Sequence, residues 1–467
     1  VKNIKHRVTA SIAASLALAL TAATAFPAVA GPAWDGEVDV GKPFDPVEHG
    51  LTPDDAGLDD PFYHPPAELP AAGQIVRSES AQHLLDLTGM TWPGAATKIM
   101  YSSTNEMGAT VGVTGFVIEP TVPWPGTGER PTLAIAPGTV GQGDKCAPSS
   151  QEYLFATFNA EQELDGLNIE LLNAYLAASQ GIRVVVTDYI GMGTPGVHTY
   201  VNSVDEGNAL IDASRAAINL AGAPGESPVG FLGYSQGGGA AASAAERAAG
   251  YAPDLNVAGT FAGAPPANLR EVLPSIDGGS LLSTLGYAIN SSFVYRPDFA
   301  NLVGQHLNED GIRFLQITRN ECVSDGTLNL NEGIDIEAFL GGETAGLTGT
   351  AQMTKEGLTF DELVAELPEV GAYLDAQKLG TQPTNAPIMV ENGINDQAIP
   401  VAQAEQLAQD YCALGSNVVF YPNQLPDLFG DDGVTHMLPM VTDLPVAYTY
   451  LMAAFHGVQM PNHCGSF

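Results

Sequence analysis

A serine, an acid and a histidine stand in this sequence with the types and the order that acyl transfer requires. Ser235 lies in Gly233-Tyr234-Ser235-Gln236-Gly237, between the apolar run 229–232 and the alanine-rich stretch 238–249. The run suits a short buried strand, and the alanines favour a helix. A strand, a G-x-S-x-G turn and a helix in succession make a nucleophile elbow, in which a strained turn exposes the serine hydroxyl. Glycines on either side let strand and helix pack closely, and the helix N-terminus directs N–H groups at whatever binds there. A serine hydroxyl is a weak nucleophile until a base takes its proton, and the base needs an acid to fix its tautomer.

On a doubly wound sheet with such an elbow the partners follow in the chain order serine, acid, histidine. Asp396 answers to the acid. It sits in a turn, Gly393-Ile394-Asn395-Asp396, ahead of Pro400 and a new helix. The same position suits a helix N-cap, the structural alternative. Asp431 and Asp432 are rival acids close to the histidine in sequence. His436 answers to the base, in a polar, glycine-rich stretch over 430–439 that reads as a loop hanging over a cleft. His198 and His306 precede the acid; His456 ends an apolar helix, and His463 lies in the tail beside Cys464. A developing oxyanion needs two preset N–H donors. These are expected from the backbone of Gln236 and from Thr139, in the turn 137–141, which is otherwise an ordinary glycine turn.

The elements that must hold these groups can be traced along the chain. Strands are expected at 97–103, 110–119, 132–136, 183–187, 229–234, 257–261, 387–391 and 418–421, the first two as a hairpin about Asn105 to Gly108. Helices are expected at 79–87, 169–178, 206–220, 238–249, 401–414 and 445–455. A hairpin followed by βα repeats predicts an α/β fold, a mostly parallel eight-stranded sheet covered by helices on both faces. Between the sixth and seventh strands the rhythm breaks. Residues 265–384 hold helix-like pieces at 281–289, 299–307, 335–340 and 360–367, predicted to cap an apolar acyl pocket. The chain therefore divides into a leader, 1–30; an extended arm, 31–75; a core in two parts, 76–264 and 385–467; and the insertion 265–384.

Residues 1–30 carry Lys2, Lys5 and Arg7, then an apolar stretch, then Ala28-Val29-Ala30, which is the pattern of a removed signal peptide. No later segment reads as a membrane span, so a secreted, extracellular protein is expected. The net charge is −36, and removing the leader makes it −39. So acidic a chain excludes nucleic acid and electrostatic docking on anionic membranes. No metal-ligand cluster or cofactor motif is visible, and oligomeric state is not legible. Four cysteines in a secreted chain predict two disulfides, with three pairings open. Cys412 and Cys464 flank the C-terminal region and are paired here, leaving Cys146 with Cys322.

Gly-Tyr-Ser-Gln-Gly-Gly at the elbow, Gly143-Asp144-Lys145-Cys146-Ala147-Pro148-Ser149, Asp188-Tyr189-x-Gly191 and Thr435-His436 together resemble the secretory lipase family, related to fungal lipase-A-type enzymes. The resemblance covers residue 75 to the end. It implies the α/β-hydrolase fold, a helical cap between strands six and seven, and hydrolysis of acylglycerols, with an ester or lipid as the small-molecule substrate. It also supports the two cysteine pairings. The same residues serve a carboxylesterase on short or soluble esters, an acyltransferase or peptidase, or a hydrolase-like binding protein.

Overall fold

Alternation along the strands decides which side chains face which layer. Val184 and Val186 join Leu133 and Ile135 in one buried cluster, while Val185, Ala134 and Ala136 join another. A sheet apolar on both faces needs helices on both, and the computed structural model has them. It describes residues 44–90, 92–331, 333–334, 347–427 and 432–467.

The central sheet has nine strands: β1 Ile75–Ala81, β2 Gly94–Thr104, β3 Thr110–Pro120, β4 Thr132–Ala136, β5 Arg183–Thr187, β6 Val229–Tyr234, β7 Val257–Gly263, β8 Ile388–Gly393 and β9 Val418–Asn423. Their spatial order is β1-β2-β3-β5-β4-β6-β7-β8-β9. The first three run antiparallel, as does the β3–β5 pair, and the rest is parallel. Helices α1 Glu170–Ser179, α2 Ser203–Leu220, α3 Gln236–Tyr251, α10 Val401–Ala413, α11 Asp432–Thr442 and α12 Leu444–Phe455 belong to this layer. Residues of α1 and α12 bury against one face, and residues of α2 and α3 against the other, where α10 extends the cover beside β8 and β9.

All eight expected strands are present, and β1 is an addition at the edge. The helix expected over 79–87 is not formed. Its first residues finish β1, and Leu84–Thr88 makes a short 3-10 turn. The strand's centre, Arg77-Ser78-Glu79-Ser80, is half-buried to exposed, since it pairs only with β2. It therefore lacks the apolar alternation by which strands are read.

Between β7 and β8 the chain leaves the sheet to form α4 Leu269–Ile276, α5 Leu282–Tyr295, α6 Pro297–Gly304, α7 Glu309–Thr318, α8 Phe360–Glu366 and α9 Pro368–Ala376. These helices bury their own cluster, with Leu285, Phe293, Phe299, Phe314 and Leu363 among its members. The piece expected at 335–340 and the leader 1–30 lie outside the described residues. Residues 44–74 form no strand; Leu51 enters the insertion's cluster, and Tyr63 is buried against Ser149, their hydroxyls 2.9 Å apart.

Both expected disulfides are formed, Cys146–Cys322 and Cys412–Cys464. Among the described residues, no helix is long and apolar enough to cross a membrane.

Candidate active site

The elbow is built by backbone sterics. Ser235 links β6 to α3 with φ 57° and ψ −124°, a conformation an L residue adopts only under constraint. The constraint is close packing. A Cβ on Gly233 would lie 2.0 Å from the Gly237 carbonyl oxygen, and one on Gly237 would lie 2.1 Å from that of Ala136. The Ser235 N–H donates to the Gly263 carbonyl at 2.9 Å, which ties the turn to the next strand.

His436 Nε2 lies 2.9 Å from Ser235 Oγ, and His436 Nδ1 lies 2.6 Å from Asp396 Oδ2. Against a carboxylate, Nδ1 carries the proton and donates, which leaves the Nε2 lone pair to accept from the serine hydroxyl. Asp396 and His436 are both buried. The other oxygen of Asp396, Oδ1, accepts the N–H groups of Ala398 and Ile399 at 3.0 and 2.9 Å. The acid thus holds its own turn and the imidazole together.

His436 is not on a loop. It lies in the first turns of α11, where Val434, Met437, Leu438 and Met440 supply apolar residues that outweigh Gly433. Tyr234, the residue before the nucleophile, donates its hydroxyl to the His436 carbonyl at 2.7 Å. Of the rival acids, Asp431 lies outside the described residues and Asp432 begins α11.

Thr139 and Gln236 both line the cleft above Ser235. Thr139 Oγ1 and the Tyr200 hydroxyl are 2.9 Å apart, and the Gly138 N–H donates to Glu170 at 3.3 Å, so the turn after β4 is braced from two sides. The Gln236 side chain points away from the cleft. Its Nε2 donates to Glu206 Oε1 at 2.7 Å and to His198 Nε2 at 2.9 Å. Burial pushes the Glu206 carboxyl up to about 8 and holds the His198 imidazole down at about 4. A neutral His198 with its proton on Nδ1, facing the Ile190 carbonyl at 3.2 Å, leaves Nε2 free to accept from Gln236.

This buried network and the Tyr234 tether were not foreseen. Glu206 stands in the first turn of α2, where an acid is ordinarily a partner of the helix dipole. His198 is placed by tertiary packing, and nothing local marks it.

The cleft is walled by Leu269, Val272, Leu273 and Ile276 of α4, together with Ile399 and Met440, and Val272, Ile276 and Ile399 share one buried cluster. Among the described residues, no group of three or more histidine, cysteine or acidic side chains is arranged to hold a metal ion.

An elbow serine on a mostly parallel sheet, with an acid after the next-to-last strand and a histidine after the last, defines the α/β-hydrolases. The chain belongs to the secretory lipase family, whose model matches residues 159–462, and it is a serine ester hydrolase by class. Over 415 residues it is 28% identical to a protein described as a probable inactive lipase from Mycobacterium tuberculosis, covering 87% of this chain and 84% of that one. It is 23% identical over 412 residues to a lipase A from Moesziomyces aphidis, covering 87% and 82%. The fold matches that of Candida antarctica lipase A in its closed state with a TM-score of 0.71 and 21% identity, covering 87% of this chain and 88% of that one.

Proposed function

We propose that this chain is a secreted lipase that hydrolyses acylglycerols through a covalent acyl-enzyme. Support comes above all from one observation: the serine, imidazole and carboxylate are joined by short hydrogen bonds at the floor of an aliphatic cleft. Ser235 Oγ attacks the ester carbonyl while His436 Nε2 takes its proton, and Asp396 balances the imidazolium that forms. The oxyanion receives the backbone N–H groups of Gln236 and Thr139. As the ester C–O bond breaks, His436 returns the proton to the departing alcohol. Water then attacks the acyl-enzyme with His436 again as base, releasing the fatty acid and restoring Ser235.

The aliphatic wall from α4 suits an acyl chain, and the insertion 265–384 is assigned the role of cap over it. The leader 1–30 is assigned to export, in keeping with a family named as secretory. The inactive relative sets the alternative, a family member without turnover. This chain, unlike a protein lacking a reactive group, retains serine, base and acid within hydrogen-bond reach.

The test is hydrolysis of p-nitrophenyl esters from acetyl to palmitoyl, together with emulsified triacylglycerol. Turnover that extends to long chains and to the emulsion is expected. Activity confined to short soluble esters would make the protein a carboxylesterase. Ser235→Ala should fold normally and lose roughly 10⁴-fold or more of kcat/KM. Retained turnover would remove the serine from its assigned role.

A further inference from the structure

Both groups assigned to the oxyanion are tied to the same buried carboxyl. Glu206 stands in the first turn of α2 and is 2% exposed. Its Oε1 accepts the Gln236 side-chain N–H at 2.7 Å and the Val201 backbone N–H at 2.9 Å. Gln236 directly follows the nucleophile and carries one of the two assigned backbone N–H groups. Val201 follows Tyr200, whose hydroxyl lies 2.9 Å from Oγ1 of Thr139, the carrier of the other. The segment 198–201 meets the turn after β4 a second time, where Gln142 Nε2 donates to the His198 carbonyl at 3.1 Å. One carboxyl oxygen therefore joins the start of α3 to the turn that holds Thr139.

The segment does not keep its shape by local preference. Val201 has φ 52°, a strained conformation for a β-branched residue. Such strain persists only where the surroundings over-determine it. The bond from the Val201 N–H to Glu206 is one constraint, and the bond from Gln142 to His198 is another. Tyr200 between them is buried, its ring edge-on to those of His198 and Tyr287. A shift of the segment would carry the Tyr200 hydroxyl with it.

An acid in the first turn of a helix ordinarily serves the helix dipole or bonds the N-cap backbone. Here Asn202 is already the cap, its side chain accepting the Asp205 N–H at 3.1 Å. A capped helix start gains little from a second acid taken out of water. Glu206 reaches past the cap to Val201 and across to α3. We propose that Glu206 is a positioning residue for the oxyanion site, setting the backbone N–H groups of Gln236 and Thr139 relative to each other through a single oxygen. This role rests on the ester hydrolysis and the oxyanion donors proposed above. Glu206 does not line the cleft and touches no substrate. A donor misplaced by about 1 Å can cost on the order of 10² in rate. Substrate held by the aliphatic wall does not depend on that donor, so loss of Glu206 falls on kcat rather than KM.

The experiment uses the full mature protein and three variants at pH 7: Glu206→Gln, Glu206→Leu and Gln236→Met. Glu206→Gln keeps an acceptor for both N–H groups, and Glu206→Leu removes it. Gln236→Met cuts only the link to α3 and leaves the backbone N–H at that position. Two readouts are taken on protein shown to be folded by circular dichroism: kcat and KM on p-nitrophenyl butyrate, and the Kd of n-butylboronic acid. In the boronic acid adduct Ser235 Oγ bonds to boron, its proton passes to His436, and boron becomes a four-coordinate anion with an oxygen in the oxyanion's place. Glu206→Leu and Gln236→Met should each lower kcat about tenfold or more, with KM changed less than about threefold, and weaken boronic acid binding in step. Glu206→Gln should stay within about threefold of the unmodified chain in both readouts. Should Glu206→Leu fail to fold, Gln236→Met decides. Unchanged kcat and boronic acid affinity in these variants would overturn the positioning role and leave the lipase function standing. A loss carried by KM alone would overturn it too, as would a Glu206→Gln variant no better than Glu206→Leu. If the unmodified chain cleaves no ester yet binds the boronic acid, and Gln236→Met weakens that binding, the positioning role stands and the lipase function falls.

Discussion

Asp396 divides its two oxygens between two tasks. Oδ1 accepts the Ala398 and Ile399 N–H groups, and Oδ2 accepts from His436. Asn can perform the first task and not the second. Its side-chain N–H₂ would face Nδ1, so His436 would carry its proton on Nε2 and could no longer accept from Ser235. Asp396→Asn is therefore expected to leave thermal stability nearly unchanged while lowering kcat by roughly 10⁴-fold. Melting curves and turnover on a soluble ester check the two halves separately. A large loss of stability would mean that the turn, rather than the tautomer, depends on the charge. The helix N-cap interpretation of this residue does not hold, since α10 begins after Pro400 with no side-chain cap bond; Asp396 instead holds its own turn with one oxygen and faces His436 with the other. Chain order sufficed to single out Ser235, Asp396 and His436, which the structure brings within hydrogen-bond reach of one another. It could not find Tyr234 as the tether of His436, because that bond joins residues 202 apart in sequence.

At the scale of elements, the turn after β4 is fastened to the insertion. The Gln142 N–H donates to the Glu321 carbonyl at 3.1 Å, the Val323 N–H donates to the Val140 carbonyl at 3.0 Å, and Cys146 is bonded to Cys322 across 176 residues of sequence. Removing a native disulfide that closes so long a loop costs about 2–5 kcal/mol. Cys146→Ser with Cys322→Ser should therefore lower the melting temperature clearly. The two backbone bonds remain, so turnover per folded molecule at 25 °C should be largely kept. Turnover lost in parallel with the disulfide, in protein still folded by circular dichroism, would show that the covalent link itself sets the oxyanion turn. Elements with a dense apolar run, such as β5 and α12, were legible, since β5 is buried along its whole length and α12 buries Ala447, Tyr450, Leu451, Ala454 and Phe455. The edge strand β1 was not, because its polar centre buries little. Helices α4, α7 and α9 were missed within the insertion. Pro274 inside α4 breaks the usual helix signature, although Leu269, Val272, Leu273 and Ile276 recur at helical spacing and are buried.

At the scale of the whole molecule, buried acids set how stability varies with pH. Burial raises Glu206 to about 8, and Asp188, Asp205 and Asp212 to about 6. Asp144, half-buried and close to Asp55, is raised to about 8. Each has a folded value above its unfolded one, so the folded state retains protons that the unfolded chain has released. Their contribution is fully present below the unfolded carboxylate range and is lost as pH rises through about 6 and then about 8. Exposed acids held low by partners, Asp254 and Asp298 among them, act in the opposite sense only below that range. Self-repulsion of a chain carrying −36 works in the same direction as burial, and added salt screens it. The melting temperature should therefore fall between pH 5 and pH 9, and salt at pH 9 should restore part of the loss. Glu206→Gln separates the two causes. Gln can still accept from Gln236 and from the Val201 N–H, which lies 2.9 Å from Glu206 Oε1, but it never ionises. That variant should gain stability over the unmodified chain at pH 9 and show no gain at pH 5, in low and high salt alike. An equal change at both pH values would mean that Glu206 acts through packing, and a melting temperature that rises toward pH 9 would refute the assignment of these acids as raised by burial.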